Sequence, residues 1–95
     1  MTATLHIEHR INDFGTWKAA FDRFADARTK AGVTAHRIRL HEDDALQVVI
    51  DLDFDSTQLA HAFSAFLHET VWATPANAPA LVGAPTTRVL VDAAD

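Results

Sequence analysis

Four large aromatic side chains repeat along one stripe of residues 13–32, and this stripe constrains the fold more than any other feature. They are Phe14, Trp17, Phe21 and Phe24. Their spacing follows the 3.6-residue period of an amphipathic helix, so we predict one continuous helix here. Asp13 is suited to cap its start and Gly32 to end it in a left-handed conformation. So much aromatic area on one stripe needs a broad apolar surface to cover it.

Four other stretches alternate between apolar and polar residues with the period of two that is typical of a half-buried strand. They are residues 4–10, 33–40, 46–53 and 86–91. The acidic residues 41–44 separate the second and third stretches and predict a β-hairpin. Ser56 is suited to cap a second amphipathic helix that runs to about Thr70 or Trp72. The residues that follow, 76–85, are rich in alanine and proline and predict a connection.

The predicted order β-α-β-β-α-β is that of a ferredoxin-like α+β domain, which we expect to span residues 1–95. The right-handed crossover rule places both helices on one face of a four-stranded antiparallel sheet of strand order 4-1-3-2. Hydrophobic residues make up 48% of the chain, which is enough to form a core. The opposite sheet face carries mixed charges, and we expect a second copy of the chain to pack there in a homodimer.

Composition argues against several partners. The formal net charge is −5 and no basic cluster exists, so we expect no nucleic acid and no anionic membrane surface as a partner. No apolar run reaches the length of a membrane span, and no secretory signal is visible, so we expect a cytoplasmic protein. The chain has no cysteine and no glycine-rich phosphate loop. Its six histidines show no metal-ligand spacing, so we expect no metal and no nucleotide cofactor.

Residues 9–22 read His-Arg-Ile-Asn-Asp-Phe-Gly-Thr-Trp-Lys-Ala-Ala-Phe-Asp, and Arg28 and Gly32-Val33 follow. This segment resembles the first half of a group of small proteins of the dimeric α+β barrel superfamily. The superfamily includes antibiotic-biosynthesis-type and haem-degrading monooxygenases, muconolactone isomerases, chlorite dismutases and stress-responsive barrel proteins. The resemblance implies the ferredoxin-like fold and a dimer. The Asn-Trp-His set typical of haem-degrading members is not reproduced by Asn12 and Trp17, so we expect no haem and no other cofactor.

Two histidines, His9 and His36, point toward the helices from otherwise apolar strand faces. Each can be a strand-end histidine bonded to backbone or water, or a polar group that converges on an apolar ligand pocket. We assign His9 as the candidate general base because it lies nearer the start of the first helix. The remaining candidate pocket residues are aromatic except for His36; they are Trp17, Phe21, His36, Phe63, Phe66 and Trp72. Arg28 is expected to form a structural ion pair or, alternatively, to bind an anion.

Three functions fit these features. The first is a homodimeric α+β barrel that binds a small apolar ligand between helices and sheet, with or without enzymatic activity. The second is a cofactor-independent monooxygenase or isomerase that acts on an aromatic or polyketide-like substrate. The third is an assembly or stress-response module without a ligand. An internal cavity with a buried histidine would favour the second, and a filled core would favour the third.

Overall fold

A computed structural model describes residues 2–94 of the chain. Four strands and three helices occur in the order β1, α1, α2, β2, β3, α3, β4. Their bounds are β1 Ala3–Ile11, α1 Phe14–Arg23, α2 Ala25–Ala31, β2 Val33–His41, β3 Asp44–Phe54, α3 Thr57–Phe66 and β4 Leu81–Leu90. The strands form one antiparallel sheet in the order β2-β3-β1-β4, which confirms the predicted ferredoxin-like topology. No helix within residues 2–94 has the length and apolar character needed to cross a bilayer.

The core lies between the two central strands and the helices. On β1 the alternate residues Leu5 and Ile7 are buried, as the period of two predicts, and they pair across to Leu52 and Ile50 of β3. Phe54 at the end of β3 packs against Phe63 of α3, with the ring centroids 5.9 Å apart. All of these central positions are at most 4% exposed. Their burial against the helix layer supplies the main apolar contribution to stability.

The first predicted helix is divided in two, because α1 and α2 replace the one continuous helix expected over residues 13–32. α1 ends at Arg23, and Phe24 has φ −97° and ψ 14°, which is outside helical geometry. The N–H of Phe24 bonds back to the carbonyls of Phe21 and Asp22, so the last turn of α1 tightens. Two predicted ends are confirmed, because Asp13 accepts from the N–H of Thr16 and Gly32 has φ 96°.

The second predicted helix corresponds to α3 and the widened turn that continues it. Ser56 caps α3 by accepting from the N–H of Leu59 at 3.2 Å. After Phe66 the chain changes to π-helical geometry over Leu67–Val71, and a short 3₁₀ turn follows at Pro75–Asn77. Single π-helical turns of this kind are rare and occur frequently at functional sites.

Strand β4 is longer than predicted, because it begins at Leu81 and not at residue 86. Its first half was assigned to the connection because Gly83 and Pro85 are residues that break regular strands. The pairing register of β4 with β1 shifts between Glu8 and Arg10, which makes a bulge, and Gly83 has φ 75° there. β4 lies at the sheet edge, where proline is tolerated because its missing N–H faces no partner strand.

The sheet extends beyond the helix cover at the β2–β3 hairpin. Leu40 and Leu46 belong to the predicted helix-facing side, yet they are 39% and 36% exposed. Val91 is also exposed and follows the end of β4. The helices therefore cover the central part of the sheet and leave this end of the hairpin open, a limit that the alternation along single strands does not reveal.

Candidate functional site

A cavity of about 70 Å³ lies between the sheet and the helices. The inward faces of β1 and β3 form its floor, the first two helices form one wall, and α3 with residues 67–81 forms the rest. Its lining is apolar and aromatic except for three polar side chains. These are His9, Arg28 and Asn77. An apolar cavity with a few convergent polar groups is the general form of a small-molecule site.

His9 lies on the inward face of β1, two residues after Ile7, where it pairs with Val48 of β3. It is only 5% exposed. Its ring is flanked by the two tryptophans of the chain, with centroid distances of 6.2 Å to Trp17 and 6.4 Å to Trp72. The bulge between β1 and β4 spans the same position. Bulges commonly lie next to active sites, where they redirect a side chain.

The tautomer of His9 follows from its hydrogen bond. Its Nδ1 lies 3.2 Å from the carbonyl oxygen of Arg10, which can only accept, so Nδ1 carries the proton and Nε2 has a lone pair. No fully buried side-chain nitrogen or oxygen of the described residues lacks a partner, so the unbonded Nε2 keeps some solvent-accessible surface. Burial lowers the pKa of His9, and the hydrogen bond to Arg10 only partly opposes this effect. At neutral pH His9 is therefore an uncharged hydrogen-bond acceptor in the cavity wall.

Arg28 of α2 is the second buried polar group, with 7% exposure. Its Nη1 donates to the carbonyl oxygen of Phe21 at 2.6 Å, and its Cζ lies 3.6 Å from the centroid of the Phe21 ring. No carboxylate among residues 2–94 forms an ion pair with it, so the expected structural ion pair is not found. Burial lowers the pKa of Arg28, and the more distant charge of Asp22 acts in the opposite direction. Because the pKa of an arginine lies so high, the side chain stays cationic.

Residues 67–77 close the cavity on one side. Trp72 is half-buried and follows the π-helical turn; its ring packs edge-on against His68 with a centroid distance of 4.8 Å. Asn77 ties the segment together by donating from Nδ2 to the carbonyl oxygen of Thr70 at 3.2 Å. We call residues 67–77 the cover segment. It joins α3 to β4 and carries both an indole ring and a polar amide at the cavity.

The structure brings most of the predicted site residues to this cavity but separates two of them from it. The candidate base His9 lines it together with Trp17, Phe21, Phe63 and Trp72. His36 lies exposed on the edge strand β2 and packs edge-on against the outer side of Phe21, 5.4 Å away. Phe66 instead lines a separate apolar groove between α2 and α3. Neither residue belongs to the lining of the cavity.

Sequence reasoning missed the place of Arg28 and Asn77 in the cavity wall. A signal existed for Arg28, since it lies seven residues after Phe21 and continues the aromatic stripe of the predicted helix. Asn77 had none, because it lies in the segment that was predicted as an irregular connection. Among the described residues, no group of three histidine, aspartate or glutamate side chains is placed to hold a metal ion.

No protein-family model matches the chain, and no curated protein has a significantly similar sequence. Solved structures do match it. SnoaB, a cofactor-independent oxygenase from Streptomyces nogalater, superposes with a TM-score of 0.65 and 14% identity, over 99% of this chain and 93% of SnoaB. The monooxygenase ActVA-Orf6 of Streptomyces coelicolor, solved with the ligand nanaomycin D, gives a TM-score of 0.64 and 13% identity, over 98% and 88%.

A dimeric ferredoxin-like protein from an uncultured marine organism matches with a TM-score of 0.61 and 10% identity, over 98% of both chains. Identities this low establish the fold and not the activity. The chain is thus a ferredoxin-like α+β protein whose structural neighbours include antibiotic-biosynthesis-type monooxygenases. These neighbours confirm the ferredoxin-like fold that the resemblance in the first half of the sequence implied.

Proposed function

We propose that this protein binds a small, planar, mainly apolar ligand in the cavity beside His9. The carrying observation is a neutral histidine whose Nε2 lone pair is accessible within an apolar cavity between two tryptophan rings. Flat aromatic walls favour a flat ligand, because stacked and edge-on ring pairs each contribute about 0.5–1.5 kcal/mol beyond their buried area. The acceptor nitrogen adds a preference for a ligand with a hydroxyl or an acidic C–H group.

The size of the cavity implies that the cover segment moves when a ligand binds. Its volume of about 70 Å³ is roughly half of the ~150 Å³ that accommodates benzene in an engineered apolar cavity. A ligand with one or two rings therefore has to displace part of the wall. The cover segment fits this role because its Trp72 is only half-buried and its turns are short.

A pair of matched ligands tests this proposal. We expect 2-naphthol to quench the tryptophan fluorescence of the protein and to bind more tightly than 2-methylnaphthalene, because only the hydroxyl can donate to His9 Nε2. The His9→Leu variant should lose this difference. The His61→Leu variant, altered at an exposed histidine of α3, should keep it. Absence of binding by either ligand would reject the proposed ligand site.

A second candidate function is cofactor-independent oxygenation of the bound ligand. Two observations favour it: the neighbours include monooxygenases, one of them described as cofactor-independent, and a buried neutral histidine lies in the cavity. In such a reaction an activated methylene and O₂ give a carbonyl and water, so no external reductant is needed. His9 would remove the first proton as a general base. Because its pKa is lowered, the substrate must carry a fairly acidic proton, such as one on a methylene between two aryl rings that conjugate its carbanion with a ketone.

Oxygen consumption with anthrone, which has such a methylene, tests the second function. We expect turnover by the wild-type protein and a fall of about 10²–10⁴-fold in kcat for His9→Gln, the range that a general base contributes. The His61→Gln variant should be unaffected. If His9→Gln keeps its turnover, His9 is not the general base. If naphthol binds but no oxygen is consumed, the protein binds a ligand without oxygenating it.

We also propose that the outer face of the sheet forms the homodimer interface. Its central strands carry Asp51, which accepts hydrogen bonds from His6 at 2.6 Å and from Arg39. Partial burial acts to raise the pKa of Asp51, but these two hydrogen bonds outweigh it and the pKa is lowered. The apolar side chains Val49 and Leu90 share this face and favour its coverage by a second copy. The marine structural neighbour is likewise described as dimeric.

Light scattering after size exclusion tests the interface. The wild-type protein should have twice the monomer mass of 10.4 kDa. The Val49→Lys variant places a charge at the centre of the face and should run as a monomer. Leu59→Lys, at an exposed position of α3 on the opposite side, should remain dimeric. Dimerisation of Val49→Lys would exclude this face, and a wild-type monomer would exclude the dimer. The cytoplasmic location stays a prediction that cell fractionation would test.

A further inference from the structure

Arg28 holds a positive charge in the wall of an otherwise apolar cavity and uses few of its hydrogen-bond donors. A guanidinium group has five N–H donors, and within residues 2–94 only Nη1 of Arg28 has a partner, the carbonyl oxygen of Phe21. No polar side-chain atom of these residues is both fully buried and without a partner, so Nε and Nη2 must remain accessible. Arg28 is only 7% exposed and is part of the cavity lining.

The negative charge near Arg28 is already engaged elsewhere. Asp22 is the acidic side chain that acts on it, but the Asp22 carboxylate is exposed and binds Lys18 Nζ at 2.7 and 2.9 Å. A buried cation without a close anion is unfavourable, because it loses hydration without gaining a charged partner. The contact with Phe21 offsets this cost only in part. The site is therefore electrostatically incomplete in the absence of a ligand.

The aromatic residues between Arg28 and His9 define the shape of the space they share. The guanidinium lies over the face of Phe21, and Phe21 stacks on Trp17 with a centroid distance of 5.1 Å and an interplanar angle of 28°. Trp17 in turn contacts His9. A cation, two stacked rings and a neutral base thus follow one another along the same wall.

From this arrangement we infer that the ligand of the cavity is an aromatic anion, whose carboxylate or equivalent oxyanion pairs with Arg28 while its acidic or hydroxyl group points to His9. This inference rests on the proposed ligand site and names the class of ligand it takes. The planar fork of the guanidinium matches a carboxylate in a bidentate manner, which fixes the orientation of the ring as well as its charge. The ligand ring then lies along Trp17, with its reactive end at His9.

Two ligands of equal shape and different charge test the inference. At pH 7.5, 2-naphthoate is an anion and 2-naphthamide is its neutral counterpart, and both are followed by quenching of Trp17 and Trp72. We expect the wild-type protein to bind naphthoate at least tenfold more tightly. Arg28→Met, which keeps much of the side-chain volume but no charge, should reduce this ratio to about one. Arg28→Lys should give an intermediate ratio, because it retains the charge and loses the fork.

The Arg23→Met variant is the matched control, since Arg23 is an exposed arginine at the end of α1 and its loss should leave the ratio unchanged. Equal binding of the two ligands by the wild-type protein would overturn the anion assignment while the proposed ligand site stands. An unchanged ratio in Arg28→Met would overturn the role of Arg28. Binding of neither ligand would overturn the site and the inference together. If Arg28→Met does not fold, the wild-type ratio still decides.

Discussion

Replacing His9 with glutamine should remove a specific loss of stability at mildly acidic pH. The native pKa of His9 lies below its ordinary value of 6.5 because the ring is buried. Between the native pKa and 6.5, the unfolded chain therefore binds more protons than the folded one, and stability falls as the pH falls. Above about pH 7.5 the imidazole is neutral in both states and the effect vanishes. At pH 5.5, one unit below the unfolded value, the loss is at most about 1.4 kcal/mol.

Urea denaturation at pH 8.0 and pH 5.5 measures this effect as a double difference. The change in the free energy of unfolding between the two pH values is compared for wild type and His9→Gln, so the contributions of other titrating groups cancel. We expect the wild type to lose up to about 1.4 kcal/mol more than the variant. His61→Gln, at an exposed position, should behave as the wild type does. Equal pH dependence in wild type and His9→Gln, or a greater loss in the variant, would refute the assignment of His9 as a buried neutral group.

Four further substitutions test the local structure. Gly32→Ala and Gly83→Ala should each lower the free energy of unfolding by about 1–2 kcal/mol, because both positions have a left-handed backbone. The loss should be larger at Gly32, where an added Cβ would lie 3.3 Å from Leu59 Cδ1. Equal losses of the two variants in thermal unfolding would contradict this contact. Ser56→Ala should cost about 1 kcal/mol by removing the cap of α3, and an unchanged melting temperature would argue against the cap. Trp72→Ala should cost about 2 kcal/mol, less than a fully buried tryptophan, and indole should stabilise this variant more than the wild type. Failure of indole to do so would mean that Trp72 does not fill the cavity wall.

The arrangement of the site depends on interruptions of regular structure. At the break, the carbonyl of Phe21 accepts from the Phe24 N–H and also from Arg28 Nη1, and the guanidinium lies over the Phe21 ring. On the opposite side of the cavity, the π-helical turn Leu67–Val71 precedes Trp72. A continuous helix at either place would direct different side chains inward. The cavity therefore lies where two segments depart from ideal helical geometry.

The sequence by itself determined the topology of this protein. The alternation along β1 and β3, the capping residues Asp13 and Ser56, and the left-handed Gly32 are local signals whose meaning does not depend on distant contacts. The same alternation placed His9 on the inward face, because a period of two assigns each strand residue to a side.

Only the tertiary structure decided which inward residues share a site. Helical periodicity assigned Phe21 and Phe66 to apolar stripes but could not show that the first predicted helix breaks at Phe24, since that break depends on hydrogen bonds formed in the folded chain. Alternation likewise placed His36 inward, but the distance from an edge strand to the cavity depends on how far the helices reach across the sheet. His9 stays neutral because burial excludes water from its ring, and Arg28 is buried without a carboxylate beside it. Both facts are properties of packing in three dimensions, which the order of the residues does not record.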